Sequence, residues 1–562
     1  MKYPGLLDQD ISRIGLQESQ MYNLISGKLV TDIVRTSLGP RGMEKMYIDI
    51  LGEDTITSHG GAFLRKVDVD HPAAKSVIEA VNTVDTHVGD GTTTAAVLIG
   101  SLLKEAEELL KIGIPVATIT RGYEKSLDYT LEVLDEIKMK SNRRDKKIMR
   151  QLLTTCLEGK AIFDLHEENT KIVDTIIEAI CDISNLESGQ IDIDDIKIEE
   201  KIGNTTEIQL IKGTVIDKTI DSSAMPRTIK DAKVLLINES LETMRTRTEA
   251  GIEIESPEQM SQFLNQENKD LLVLVQKIVD SGANVVISRK GVNEFVQEAL
   301  AKKGIITMRR VKYNDLWWLE KATGAKTCGN IEKISNDELG FAKKVYEKTV
   351  DEEKMVFVEG NNPKSVTLLL RANSKRYLDE FHRNAKNAFY VLRNFIENPF
   401  IVYGAGSVEG IIAQKIRKYS VTVEGKEQIA IERFANAVEQ IPLTLAQNIG
   451  MDMLDTLTRF RAETAKSNGK IKWYGINSNI RKISNMSESE IIETSVVKQQ
   501  VFKTAVEVAN MILNIDDVFM KNLIDNTHCH IDGHVHAHRD GGKAHNHFEQ
   551  EGLEQRQMHQ YY

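Results

Sequence analysis

Across residues 8–150 apolar positions recur at three- and four-residue spacing, the pattern of helices with one buried face, and LGPRG, SHGG and GDG punctuate them. Short strand signals at MYIDI and TIT interrupt this helical third. From about 183 to 245 the pattern shifts to alternation and β-branched runs in IDIDDIKIEE, IQLIKGTVIDK and AKVLLIN, which predict strands. The apolar runs NVVIS, IITMRRV, MVFVEG and VTLLLRA then alternate with helical stretches such as NEFVQEALAKK and NDLWWLEKATG, the rhythm of an α/β layer structure. Beyond about 380, helical spacing returns through NAFYVLRNFI, QIAIERFANAVEQI and QVFKTAVEVANMIL. The pattern predicts a multidomain chain of α and α/β class, two helical ends around an α/β middle.

Composition narrows the partners. The chain has 562 residues, 41% hydrophobic and 28% charged, with nine prolines, which suits a folded globular protein with few extended linkers. A net charge of −11 gives no general basic footprint, so neither nucleic acid nor an anionic membrane is expected as a partner. No stretch approaches the roughly 18 apolar residues of a spanning helix, and MKYPGLLDQD has no signal-peptide core, so the expected location is the cytoplasm. Cys156, Cys181, Cys328 and Cys529 form no CxxC pair and read as reduced thiols.

The chemistry concentrates in HVGDGTTTAAVL, residues 87–98. Gly89 and Gly91 allow a tight turn and close approach of a ligand, and Thr92, Thr93 and Thr94 offer hydroxyls and free N–H groups at a helix start, an anion-binding end. Behind it Ala95, Leu98, Leu102, Ala106 and Leu109 keep helical spacing. Asp90 beside a phosphate is repulsive unless a cation bridges them, which points to Mg²⁺. The stretch SLGPRG, residues 37–42, ends the preceding helix and can face this turn. No GxxxxGK[ST] occurs, so the common P-loop does not explain the site.

These residues, together with SLGPRGMEKM, TITSHGGAFL, DVDHPAAK, DIKIEEKIG, LIKGTVIDK, SGANVVISRKG, RRVKYNDLWWLEKATGAK, FVEGNNPKSVTLLLR, YGAGSVE, NIGMDMLDTL and ILNIDDV, resemble the group II chaperonins over about residues 10–520. The resemblance implies a chaperonin fold. Its helical equatorial domain would comprise 1–146 and 400–525, its small intermediate domain 147–213 and 367–399, and its α/β apical domain 214–366, with a helical lid protrusion at 249–287. It implies ATP and Mg²⁺ as cofactors, unfolded polypeptides as clients, and sister subunits in a double ring. Carried over position by position, Leu38, Gly39, Pro40, Gly91, Thr92, Thr93 and Thr94 would contact phosphate, and Asp90 would hold the metal. Gly404, Ala405 and Gly406 stand at the family's adenosine loop, Glu493 at the ribose acceptor and Asn477 where the family commonly has aspartate. Lys160 matches a lysine that senses the terminal phosphate.

The chain departs from the family where water is activated. The family reads TNDGA where this chain has TSHGG, and DAL where it has Asn387-Ala388-Phe389, so His59 and Asn387 replace two aspartates. Losing one general base costs about 10² to 10⁴ in rate. Asp379 lies eight residues before Asn387, roughly 12 Å along a helix, too far to substitute. His59 would be a base only if neutral, and nearby phosphates favour its protonated form. The alternative reading is a subunit that binds nucleotide and hydrolyses it poorly. Ala372 and Asn373 stand where the family usually has two hinge glycines.

Two further segments carry expectations. Ser256, Pro257 and Gln259 form a capping-box start within the protrusion, with Met260, Phe263 and Leu264 on one stripe. Trp317 and Trp318 read as packing residues. Eight of the 13 histidines lie in the tail 526–562, which reads as disordered, with His528, His530, His534, His536 and His538 as candidate ligands for a transition metal.

Overall fold

The computed structural model describes residues 11–14, 16–160, 168–204, 206–242, 256–331, 334, 336–361, 363–465 and 472–521. The histidine-rich tail, with its candidate ligands His528, His530, His534, His536 and His538, and residues 249–255 lie outside them.

Two compact units are distinguished. The first, residues 1–22 with 515–562, contains an antiparallel pair of strands, Ile11–Ile14 against Val518–Lys521. The second, residues 23–514, holds three hydrophobic modules in succession.

The helical module is built from both flanks of the sequence. Helices Pro72–Val88, Thr92–Lys111 and Val116–Ile137 pack with Ser407–Ser420, Glu427–Asn448 and Ser495–Leu513 around Val77, Leu98, Ile99, Leu102, Phe434 and Phe502, all buried. Each such side chain contributes about 1.5–3 kcal/mol by leaving water, so the Ala95, Leu98, Leu102, Ala106, Leu109 stripe fixes the helix behind the GDG turn. The MYIDI and TIT signals form a hairpin, Lys45–Ile48 with Asp54–Thr57.

A second module places helices Lys146–Leu157, Glu168–Ile183 and Lys375–Glu397 on a three-stranded sheet. Its central strand Val366–Ala372 runs parallel to Ile196–Ile202 and antiparallel to Glu207–Ile211. Ala372 ends the central strand, fully buried.

The third module is a six-stranded mixed sheet in the order Ile306–Met308, Val285–Ser288, Thr228–Ile237, Gly340–Val350, Glu353–Gly360, Gly213–Ile216. Strand alternation separates its two faces. Val234 and Leu236 pack with Leu316 and Leu319 of helix Tyr313–Thr323. Leu235 and Ile237 pack with helices Pro257–Asp280 and Glu294–Lys302. Helix Pro257–Asp280 starts as expected: Ser256 Oγ accepts from the Gln259 N–H at 3.2 Å, and Pro257 occupies the first position. Met260, Phe263 and Leu264 are each at least 40% exposed, so that stripe is not core.

The second and third modules are latched together. Lys197 Nζ is buried and donates to Asp315 Oδ1 at 2.6 Å and to the Val215 carbonyl at 2.5 Å. The Trp318 indole N–H donates to the Asp194 carbonyl at 3.1 Å, and Lys321 lies 3.8 Å from the centre of the Trp317 ring. The tryptophans are packing residues at a joint.

Candidate nucleotide site

The loop Val88-Gly89-Asp90-Gly91 closes helix Pro72–Val88 and opens Thr92–Lys111, turning back on itself within three residues. It does so because Gly89 and Gly91 hold φ of 68° and 80°, a region costly to any residue with a Cβ. At Gly91 a Cβ would also sit 2.8 Å from Val501 and 2.9 Å from Val497. Gly91 caps the new helix without a side-chain acceptor, which leaves the first-turn amides uncapped and facing a cavity. Asp90 Oδ1 accepts from the Gly91 N–H at 2.8 Å and lines the same cavity.

Most of the sequence candidates meet there. Leu38, Gly39, Pro40, His59, Asp90, Gly91, Thr92, Thr93, Thr94, Lys160, Ala405, Gly406 and Glu493 line one cavity. The turn at 38–40 is held by Asn448, whose Nδ2 donates to the carbonyls of Arg35 at 3.1 Å and Leu38 at 2.8 Å. Against it leans the Leu157–Lys160 corner, where a Cβ on Gly159 (φ 78°) would fall 2.1 Å from the Pro40 carbonyl oxygen. Only glycine lets Lys160 reach the cavity wall by this route. At the far end Ala405 adopts φ 57°, a strained value for a residue with a Cβ, and its carbonyl accepts from the Ile476 N–H at 2.9 Å.

Three candidates lie off the cavity wall. Gly404 backs onto Glu493, with a Cβ position 2.4 Å from Glu493 Oε1. Asn477 is engaged in its own turn: Oδ1 accepts from the Asn479 N–H at 3.0 Å, and Nδ2 donates to Ser489 Oγ at 3.1 Å. Its neighbours Ile476 and Ser478 take the wall instead. Asn387 stands behind His59 on helix Lys375–Glu397.

His59 and Asn387 are partners. His59 is the N-cap of helix Gly60–Lys66, and its Nδ1 accepts from the Ala62 N–H at 3.1 Å. Its Nε2 therefore carries the proton, 3.4 Å from Asp85 Oδ1, and the Asn387 amide, assigned the orientation in which both its ends find partners, sets its oxygen 3.1 Å from that nitrogen. The Asn387 amide nitrogen donates to the carbonyls of Gly89 and Arg383, each at 3.3 Å. Burial pushes His59 down to about 4, helped by the positive charges of Lys160, Arg65 and Arg383 and opposed by Asp85. Without nucleotide, desolvation outweighs the one facing carboxylate. Neutrality does not make it a base, because the Nδ1 lone pair is already used by the helix cap.

Sequence reasoning passed over the group deepest in the site. Lys498, in the first turn of helix Ser495–Leu513, lines the cavity and donates at 2.8 Å both to Glu493 Oε2 and to Glu409 Oε1. Burial pushes Glu493 upward, Lys498 pulls it down, and Glu409 and Asp90 add to the rise. Lys498 itself is raised: the two glutamates outweigh its own burial. A lysine five positions after Glu493 in a helical pattern gives no signal of this contact, which runs between a short strand and two helix starts.

The donor set suits Mg²⁺. Among the described residues no group of three or more histidine, cysteine or acidic side chains is placed to cage an ion. A single carboxylate beside uncapped amides is the arrangement in which magnesium takes its remaining oxygens from phosphate and water.

With this geometry in view, the family comparison is decisive: the model of the TCP-1/cpn60 chaperonin family matches residues 30–522. The chain belongs to that family. Similar proteins include thermosome subunit beta of Archaeoglobus fulgidus, 39% identical over 517 residues, 91% of this chain and 94% of that one. The thermosome subunit of Pyrococcus horikoshii is 40% identical over 524 residues (92% and 94%). Thermosome subunit alpha of Sulfolobus acidocaldarius is 39% identical over 525 residues (91% and 94%). This is a group II chaperonin of multidomain α and α/β fold, and it assists protein folding. Among the described residues no helix of the chaperonin is long and apolar enough to cross a membrane.

Proposed function

We propose that this chaperonin binds ATP with Mg²⁺ in the cavity above helix Thr92–Lys111, and that nucleotide drives the enclosure of unfolded polypeptide by a double ring of such subunits in the cytoplasm. The observation that carries this reading is the uncapped helix start at Gly91–Thr94, sharing one cavity with Asp90, the 38–40 turn and Glu493. Phosphate docks on the amides, Asp90 holds the ion, and Lys160 adds a positive charge to the terminal phosphate. The nucleoside lies toward Ala405, Gly406 and Ile476. In this reading 1–146 with 400–525 form the equatorial domain, 147–213 with 367–399 the intermediate domain, and 214–366 the apical domain. Titration calorimetry with Mg²⁺ and ATP tests it: Asp90→Asn should abolish the magnesium dependence of binding, and a wild-type protein with no heat of association would overturn the reading.

The His59–Asn387 pair favours a second statement about the same site, that turnover is slow. A water beside the terminal phosphate needs an acceptor for its proton. The Asn387 amide has no basic lone pair, and the His59 imidazole spends its lone pair on Ala62. Binding and release of nucleotide, more than its cleavage, would then set the state of this subunit.

A further inference from the structure

We propose that Arg393 and Asn394 are positioning residues of the phosphate site: they cap, from a distant helix, the helix that ends at the GDG turn, and so let an anion settle on the helix that begins there. The inference rests on the nucleotide reading above and adds to it two residues that reach no ligand.

The turn joins two opposite helix ends. Phosphate docks on the amides that open Thr92–Lys111, the positive end of that helix, but the negative end of Pro72–Val88 stands immediately before them in the chain. Bare carbonyls there, equivalent to about half a negative charge, would repel the anion that the amides attract. They are not bare. The Gly89 N–H satisfies the Asp85 carbonyl at 3.0 Å. The carbonyls of His87, Val88 and Gly89 are satisfied by side chains of helix Lys375–Glu397: Arg393 Nη2 donates to the first, Asn394 Nδ2 to the second at 2.9 Å, and the Asn387 amide to the third at 3.3 Å.

Residues 387, 390 and 394 share one face of that helix, and the turn lies directly on it. A Cβ on Gly89 would fall 2.2 Å from Tyr390 Cβ, so backbone meets helix with no room between. Asn394 is buried, and its amide has one task, the Val88 carbonyl. Arg393 sits over the Tyr390 ring at 4.7 Å from its centre, which fixes the guanidinium beside the helix end. Its Nε is buried with no hydrogen-bond partner, so the cation is kept there against its own desolvation. A neutral donor would satisfy the His87 carbonyl without that cost. What only a cation adds is a positive charge where the dipole of Pro72–Val88 is negative, which removes the repulsion an incoming phosphate would meet.

The test measures, in the full chain, the affinities of Mg²⁺–ATP and Mg²⁺–tripolyphosphate by calorimetry, and amide hydrogen exchange over residues 87–94 without ligand. Asn394→Leu and Arg393→Met should each weaken both ligands by a common factor of roughly fivefold or more, the worth of one hydrogen bond or one charge at a helix end. Exchange at the turn should speed up while the rest of the chain keeps its protection. Arg393→Lys keeps the charge and should bind both ligands within about twofold of wild type. Asn384→Leu, on the same helix and buried but without a hydrogen bond to the turn, should also stay within about twofold. Arg393 is only half-buried, so its two variants carry the test should Asn394→Leu fail to fold. Unchanged affinities in Arg393→Met, an equal loss in Asn384→Leu, or an Arg393→Lys protein no better than Arg393→Met overturns the proposal. If the wild type binds both ligands and the variants match it, this inference falls and the nucleotide reading stands, whereas a wild type that binds neither overturns both.

Discussion

The imidazole of His59 faces the side-chain oxygen of Asn387 at 3.1 Å, and the pair bridges the 57–60 loop to helix Lys375–Glu397. Two positions that would hold proton acceptors instead satisfy one another. Replacing both, His59→Asp with Asn387→Asp, should raise phosphate release by about 10² or more, with either single change giving much less, because one new carboxylate would still face a neutral partner. Steady-state phosphate assays decide this. Equal rates in wild type and double variant would show that the pair does not limit turnover. A stability cost is expected in the double variant, since a carboxylate at 387 cannot donate to the carbonyls of Gly89 and Arg383.

His59 also makes a prediction about pH. Its folded value of about 4 lies below the ordinary 6.5 of a free histidine. Above pH 6.5 both folded and unfolded chains are neutral there. As pH falls through 6.5 the unfolded chain binds a proton that the folded one refuses until about pH 4, so stability is lost across that window, by roughly 3 kcal/mol at most. His59→Asn keeps a capping side chain and removes the titration. Melting temperatures at pH 7 and pH 5 should therefore fall less in the variant than in the wild type. Parallel curves would contradict the buried, neutral imidazole.

The Gly159 corner predicts a coupling between two loops. Gly159→Ala places a methyl group 2.1 Å from the Pro40 carbonyl oxygen in a backbone region that disfavours Cβ. The 38–40 turn or Lys160 must move, so Mg²⁺–ATP affinity should drop, with a stability loss of about 1–2 kcal/mol. Calorimetry and thermal melting read the two effects separately. An unchanged affinity would mean that the turn does not touch phosphate.

The latch between sheets can be tested by a cycle. Lys197→Met leaves both Asp315 and Glu199 without their cation and should destabilise by about 3–5 kcal/mol, whereas Lys197→Met with Asp315→Leu should recover the part of the loss due to Asp315. Melting temperatures of Lys197→Met, Asp315→Leu and the double variant are the readout. Additive losses would show that the two side chains act independently.

Much of this architecture is legible in the sequence because period-2 and period-3.6 patterns survive wherever one face is buried. Ala95 to Leu109 declare a helix that way, while Val234 to Ile237, buried on both faces, declare a strand as an unbroken apolar run. Strand Gly340–Val350, FAKKVYEKTV after its glycine, is harder to read: it carries three lysines and a glutamate that suit a helix equally well. In the site, the GDG turn is local chemistry and shows itself at once. What stays hidden is made by tertiary contact. Lys498 looks like any helical lysine until Glu409, 89 residues away, closes on it. His59 looks like a candidate base until Ala62 takes its lone pair. Asn477 shares its stretch with Ile476 and Ser478, and only the turn geometry decides which of them faces the ligand.

The Lys197–Asp315 contact ties the module of the three-stranded sheet to that of the six-stranded one. Separating the six-stranded sheet from the three-stranded one would leave Asp315 without its cation, while Lys197 keeps Glu199 at 2.9 Å, and would free the Trp318 indole as well. The seam thus resists partial separation through a few directional contacts rather than through apolar packing alone.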